Sequence, residues 1–175
     1  IAAYNVPNLQ YFDEAPDASS FAYSRTTGWL WVAAAGSAIG SHAQRVAGNI
    51  QHVTWSADQA PGTAGLQTTI AFTGTPSNSK RGTWSVQPTG SGLKLLAEAK
   101  QGKNSSQTNF YHTTPFWSPA GTHLACGVWE TGGPLGLNTV ATVRRMAADG
   151  SGNVLLQADT ASVDIDRLLG WTGGD

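Results

Sequence analysis

Along most of the chain, apolar and polar residues alternate in short runs with a period of two, the spacing of strands rather than helices. Ser20-Phe21-Ala22-Tyr23-Ser24, Thr68-Thr69-Ile70-Ala71-Phe72-Thr73 and His123-Leu124-Ala125-Cys126-Gly127-Val128 are rich in β-branched and aromatic residues and predict strands. Gly28 to Val32, Gly82 to Val86 and Thr139 to Met146 predict the strands that follow them, and Gln44 to Val46, Leu93 to Leu96 and Asn153 to Leu156 a further set. Breakers separate these runs: Thr26-Thr27-Gly28, Gly74-Thr75-Pro76-Ser77-Asn78 and Gly132-Gly133-Pro134-Leu135-Gly136. Thr89-Gly90-Ser91-Gly92 and Asp149-Gly150-Ser151-Gly152 predict tight hairpins, where glycine supplies a positive φ. Leu93 to Gln101 holds helix-forming residues, but the turn before it favours a strand. The expectation is an all-β protein.

The runs come back in order. Trp117-Ser118-Pro119-Ala120-Gly121-Thr122-His123-Leu124-Ala125 is the clearest block. Trp55-Ser56-Ala57-Asp58 with Thr69-Ile70-Ala71-Phe72 repeats it with an insertion in the turn. Phe12-Asp13-Glu14-Ala15 with Phe21-Ala22-Tyr23 is a worn copy, and Trp171-Thr172-Gly173-Gly174-Asp175 begins another. A second half keeps register: an apolar residue (Val32, Val86, Met146) stands four positions before a glycine (Gly36, Gly90, Gly150), and an apolar strand resumes after it. Recurrence every few tens of residues marks a repeat architecture.

Each unit reads as three to four antiparallel strands. So small a sheet cannot bury both faces alone, and stacking copies radially solves that while leaving only short edges. The expected fold is therefore a β-propeller of four-stranded antiparallel blades: three blades, at about 6–50, 51–113 and 114–166, and the start of a fourth at 167–175. The recurring Trp or Phe, with Phe12 in the first copy, is expected to wedge between blades. A β-sandwich accounts for the strands but not for the recurrence. Three blades do not close a ring. The chain is thus expected to be part of a longer one or to share a ring with other chains, with raw edge strands open to strand addition.

The block Trp-Ser-Pro-x-Gly-x-x-Leu-Ala, followed by a strand ending in an Asp-Gly-Ser-Gly hairpin, resembles the blade repeat of TolB-like β-propellers. Trp117 to Leu156 matches best, then Trp55 to Leu96, and Asn8 to Val46 weakly, with no Ser-Pro-x-Gly turn. The resemblance implies the fold. Propellers of this kind serve as protein-binding platforms, sugar-binding heads and lids of peptidases, so it names no ligand. With the low-charge composition it also implies an extracytoplasmic place, periplasmic or secreted.

Composition narrows the chemistry. Charged residues are 12% of the chain, the formal net charge is -1 and there are seven tryptophans. That excludes a nucleic-acid binder driven by basic charge, and argues against disorder. No apolar run is long enough to span a membrane. The single cysteine, Cys126, excludes an internal disulfide and reads as a buried strand residue. His42, His52, His112 and His123 are scattered without ligand spacing and read as polar residues at strand ends. Asp149 to Asn153 and the group Asp159, Asp164 and Asp166 could present oxygens to a cation, but a glycine hairpin and a solvated edge explain them without metal. No Gly-x-Ser-x-Gly elbow, P-loop or dinucleotide fingerprint occurs. No catalytic residue, metal or cofactor is expected.

Two inserted loops remain. Lys100 to His112 is long, polar and ends in three rings, and Trp129 to Gly136 lies between strands of the third blade. Loops on a rigid scaffold are where binding residues collect. Lys100, Lys103, Tyr111, His112, Trp129 and Glu130 are therefore the expected contacts with a partner: a protein, further blades of the same or another chain, or a carbohydrate. The expected function is a noncatalytic binding or structural module, part of a larger protein or complex. Its rivals are a carbohydrate-binding propeller and the propeller portion of a peptidase or lyase with its catalytic residues elsewhere.

Overall fold

A computed structural model of the chain describes residues 6–38, 41–56, 69–77, 79–99, 109–132 and 138–159. Its strands are β1 (Leu9–Glu14), β2 (Ser20–Arg25), β3 (Leu30–Ala34), β4 (Ala43–Val46), β5 (Gly48–Trp55), β6 (Ile70–Pro76), β7 (Gly82–Val86), β8 (Lys94–Glu98), β9 (Asn109–Trp117), β10 (His123–Gly132), β11 (Asn138–Ala147) and β12 (Val154–Asp159). Each successive group of four forms one antiparallel sheet in chain order. The expected architecture of four-stranded blades holds.

The second sheet explains why apolar alternation is blurred there. β6 has only one residue short of full burial and β7 none. A sheet with one wet face alternates, whereas one covered on both sides does not. Ile70, Phe72, Trp84 and Val86 pack with Ala22, Leu30 and Val32 of the first sheet in one core cluster, which includes Trp55. Ala71 and Leu96, on the opposite face, pack with Leu124, Cys126 and Met146 of the third sheet, and Trp117 belongs to that cluster. Trp55 and Trp117 thus sit at the two junctions, each less than a tenth exposed. First strands approach each other, β1 to β5 and β5 to β9, while among the described residues no fourth strand makes a comparable approach to the fourth strand of the next sheet. The sheets converge at their first strands and fan apart at their fourth. That is radial stacking of three layers, not a two-layer sandwich.

The turn after each indole is closed by the serine that follows it. Ser118 N–H donates to His123 O (2.9 Å), and Ser118 Oγ accepts the His123 N–H (3.2 Å). Ser56 repeats the pair with Thr69, at 2.8 Å in both directions. In the first sheet Ala15 N–H donates to Ser20 O (2.8 Å), which identifies Ala15-Pro16-Asp17-Ala18 as the equivalent of Ser118-Pro119-Ala120-Gly121. Ala18 takes a φ of 55° where Gly121 has 67°. Asp17 Oδ1, which accepts Ser19 N–H (2.9 Å), supplies the side-chain closure that Ala15 lacks.

This register corrects the reading of the first repeat. Glu14 opposes Phe21 as Trp55 opposes Ile70 and Trp117 opposes Leu124, so Glu14, not Phe12, holds the place of the indole. Phe12 is 65% exposed and wedges nothing. The worn copy is worn at the wedge itself. The sheets also begin at Gly48 and Asn109, so the indole ends the first strand rather than leading it. Upstream residues gave no strand signal because each first strand has one neighbour in its sheet and a register shift interrupts its period.

Candidate functional site

β8 ends beside the start of β7, where Gly82 opposes Glu98, and β9 starts beside the end of β10, where Asn109 opposes Thr131. The end of β8, the start of β9, the end of β10 and the start of β11 therefore lie at one end of the blades, away from the serine turns. Tyr111, His112, Trp129 and Glu130 are in strands β9 and β10, not in loops as expected. Tyr111 opposes Trp129, His112 opposes Val128, and Glu130 opposes Phe110. The fold thus gathers four of the six expected contact residues onto two paired strands, although they are far apart in sequence. Lys100 and Lys103 lie outside the described residues.

The same end of the first sheet carries two exposed apolar side chains, Leu9 (40%) and Trp29 (36%). The turn before Trp29 is anchored by Gly28 O, which accepts Ile50 N–H at the start of the second sheet (2.9 Å). At the same end of the second sheet, Lys80 Nζ and Glu98 Oε2 form an exposed ion pair at 2.8 Å. Trp29 was hidden in the sequence because it sits inside an apolar strand pattern, Gly28-Trp29-Leu30-Trp31-Val32, whereas in the structure it precedes β3 and is exposed while Leu30, the first residue of the ladder, is buried.

The inner strands hold a second feature that spacing did not reveal. Tyr11 of β1 and His52 of β5 bring their rings to 4.4 Å across the first junction. His52 lies within the register shift of β5 and has φ 47°, a conformation that costs a non-glycine residue about 1 kcal/mol or more. Burial lowers the pKa of its imidazole below the usual histidine value. Two residues along β1, Asp13 Oδ2 accepts Trp55 N–H (2.7 Å) and Thr54 Oγ1–H (3.1 Å), while its Oδ1 accepts Glu14 N–H (3.0 Å). Asp13 therefore clamps the backbone beside the Trp55 wedge.

The remaining histidines and the thiol have structural surroundings. His42 is buried, and its Nδ1 shares a hydrogen bond with the Tyr23 hydroxyl (2.7 Å), beside Arg25 stacked 4.8 Å over Trp31. His123 bonds Thr122 Oγ1 (2.9 Å) in the turn. Burial pushes the Cys126 thiol up to about 12, against smaller pulls from its Thr83 hydrogen bond and the Arg144 charge. Asp149 Oδ1 accepts Ser151 N–H (2.8 Å) and so closes its own hairpin. Asp164 and Asp166 lie outside the described residues. Among the described residues no three His, Cys, Asp or Glu side chains gather in a way that could hold a metal ion, and no helix is long and apolar enough to cross a membrane.

No family model and no curated protein sequence matches the chain. Solved structures do. A TolB from Agrobacterium tumefaciens superposes with a TM-score of 0.60 at 16% identity, over 89% of this chain and 51% of that one. An oligogalacturonate lyase, solved in complex with manganese, superposes with a TM-score of 0.56 at 14% identity, over 89% of this chain and 44% of that one. The fold is that of a TolB-like β-propeller. The chain spans about half the length of the propellers it matches. At these identities the likeness fixes architecture and leaves the ligand open.

Proposed function

We propose that this TolB-like propeller segment is a noncatalytic module for protein recognition, working outside the cytoplasm as part of a larger protein or assembly. The observation that carries the reading is the blade end formed by Leu9, Trp29 and the paired strand positions Tyr111 and Trp129. An exposed indole just before β3 and an exposed leucine on β1 are the kind of anchor that dominates protein interfaces, because they bury much area at little entropic cost. The Lys80–Glu98 pair supplies charge at the same end, and Lys100, Lys103, His112 and Glu130 are the further residues proposed to meet the partner. The residues with unusual environments, His52 and Cys126, are explained by burial at blade junctions. The likeness to TolB and the low-charge composition support an extracytoplasmic site of action.

The test is a binding selection on the purified chain. Immobilised protein is screened against a displayed peptide library, then the selected peptide is titrated against the Trp29→Ala and Trp129→Ala variants. A loss of tenfold or more in affinity, about 1.4 kcal/mol, is expected for at least one of them. Equal affinity for all three proteins would sink the reading. A glycan-array signal that falls with Trp129→Ala or Tyr111→Ala would favour a carbohydrate-binding module instead. The lyase among the structural neighbours supports a further alternative. Unsaturated product appearing on incubation with oligogalacturonate and manganese would make the chain part of an enzyme.

A further inference from the structure

The two blade junctions are filled differently at the serine-turn end. Ala22 and Ala71 hold the same place, following the residues opposite Glu14 and Trp55 respectively. Across the next two strands, Ala22 leads through Val32 to Ala43, and Ala71 leads through Ser85 to Lys94. Arg45 and Leu96 are likewise counterparts, each following the residue opposite Trp31 and Trp84 respectively. The hairpins over these strands correspond too. Gly90 N–H donates to Gln87 O and Gly150 N–H to Ala147 O, both at 2.8 Å, which aligns Thr89 with Asp149. A Cβ at Gly90 would stand 3.3 Å from Arg45 O and one at Gly150 2.8 Å from Leu96 O, so each hairpin seats on the fourth strand of the preceding sheet.

At the second junction these positions complete one another. Leu96 is buried in the core cluster that holds Trp117. The Asp149 carboxyl is held below its ordinary pKa by its bonds from Ser151, with a smaller pull from the Lys94 ammonium. The first junction lacks both the filling and the acid. Ala43 stands in place of Lys94, Arg45 in place of Leu96 and Thr89 in place of Asp149. A crevice of about 470 Å³ opens there, and Ser20, Ala34, Ala43, Arg45, Pro88 and Thr89 are among the residues that line it. No carboxylate lines it, and among the described residues the exposed Arg45 guanidinium has no ion pair. Asp17, close to Ser20 in sequence, accepts Ser19 N–H instead (2.9 Å), and Asp13 is engaged with Trp55. A volume of this order, with mostly apolar walls and a few polar groups, is that of a small-molecule site.

We propose that the crevice between the first and second sheets binds a small organic carboxylate, with Arg45 meeting the carboxylate and Ala34, Ala43 and Pro88 covering an apolar part of the molecule. The planar fork of a guanidinium matches the two oxygens of a carboxylate. The ligand supplies the acid that Asp149 provides at the next junction. The crevice borders the end of β3 and the blade end described above borders its start, so the inference stands apart from the protein-recognition reading.

The experiment titrates the full-length, ¹⁵N-labelled protein with N-acetylleucine and with its neutral amide, following the backbone amide signals of Ala34, Ala43 and Thr89 by NMR. Saturable shifts at these residues are expected for the acid, with affinity about tenfold or more weaker for the amide. Arg45→Gln should weaken binding of the acid by a similar factor. Thr89→Asp, which returns the hairpin acid seen at Asp149, should do the same while Arg45 is kept. Both side chains are exposed, and signal dispersion confirms that each variant is folded. Acetyl-Gly-Glu-Gly-amide presents a carboxylate from a peptide, and weaker binding than N-acetylleucine is expected. Five results would overturn the proposal: no saturable shift with the acid, equal affinity for acid and amide, unchanged binding in Arg45→Gln, unchanged binding in Thr89→Asp, or a peptide that binds as tightly as N-acetylleucine or more so.

Discussion

Cys126 shows how far a side chain's chemistry is set by where its strand is packed. Its thiol is fully buried between the second and third sheets, and desolvation of the thiolate carries its pKa up to about 12. A thiol reagent at pH 8 should find no reactive group in the native protein and one after unfolding in urea, read by released chromophore. His52 is the contrasting case, a titratable group at a junction and only partly buried. Its folded-state pKa lies below that of the unfolded chain, near 6.5. The unfolded state therefore binds the proton more readily as pH falls. The contribution of His52 to stability is present above about pH 6.5 and is lost as pH drops towards the folded value. Melting temperature should fall between pH 7 and pH 5, and His52→Asn, which tolerates the positive φ, should flatten that fall.

At the scale of the element, the hairpin glycines are a graded test of the blade junction. Gly36 and Gly150 both lie in the turn after the third strand of their sheets, with φ of 74° and 84°, although Ser37, not Gly36, makes the turn hydrogen bond that Gly150 makes; Gly36 faces open space and Gly150 faces the Leu96 backbone. Gly36→Ala should cost about 1 kcal/mol, the penalty of the backbone conformation alone. Gly150→Ala should cost more, since Leu96 O cannot retreat without disturbing β8. Urea denaturation of the two variants gives the comparison, and equal losses would contradict the junction. The strands themselves were readable from period and turn residues. Their beginnings at Gly48 and Asn109 were not, because an inner edge strand with a register shift carries no clean alternation.

Across the whole molecule, stability rests on the indoles at the junctions. Trp117 is 9% exposed within the cluster joining the second and third sheets, and among the described residues its Nε1–H makes no hydrogen bond. Trp117→Ala should cost about 3–5 kcal/mol, while Trp117→Phe should recover much of that because packing, not a polar contact, is lost. Phe12→Ala should be nearly neutral, although the sequence aligned Phe12 with the wedge. Its exposure, against the burial of Trp55 and Trp117, is the reason. Calorimetry of the three variants separates these outcomes.

The residues alone determined that the chain is all-β, that a four-stranded unit recurs and that its fold is of the TolB-like kind. Periodicity, turn chemistry and the Trp-Ser-x-x-Gly block are local signals that survive without any tertiary partner. Tertiary structure decided which copy of the block lost its indole, because only the pairing of Glu14 with Phe21 fixes that register. It also decided that Tyr111 meets Trp129 and that Trp29 faces solvent while Leu30 does not. Those outcomes depend on which strand lies opposite and which sheet lies above. Both are set by contacts between residues distant in the chain, which no local pattern encodes.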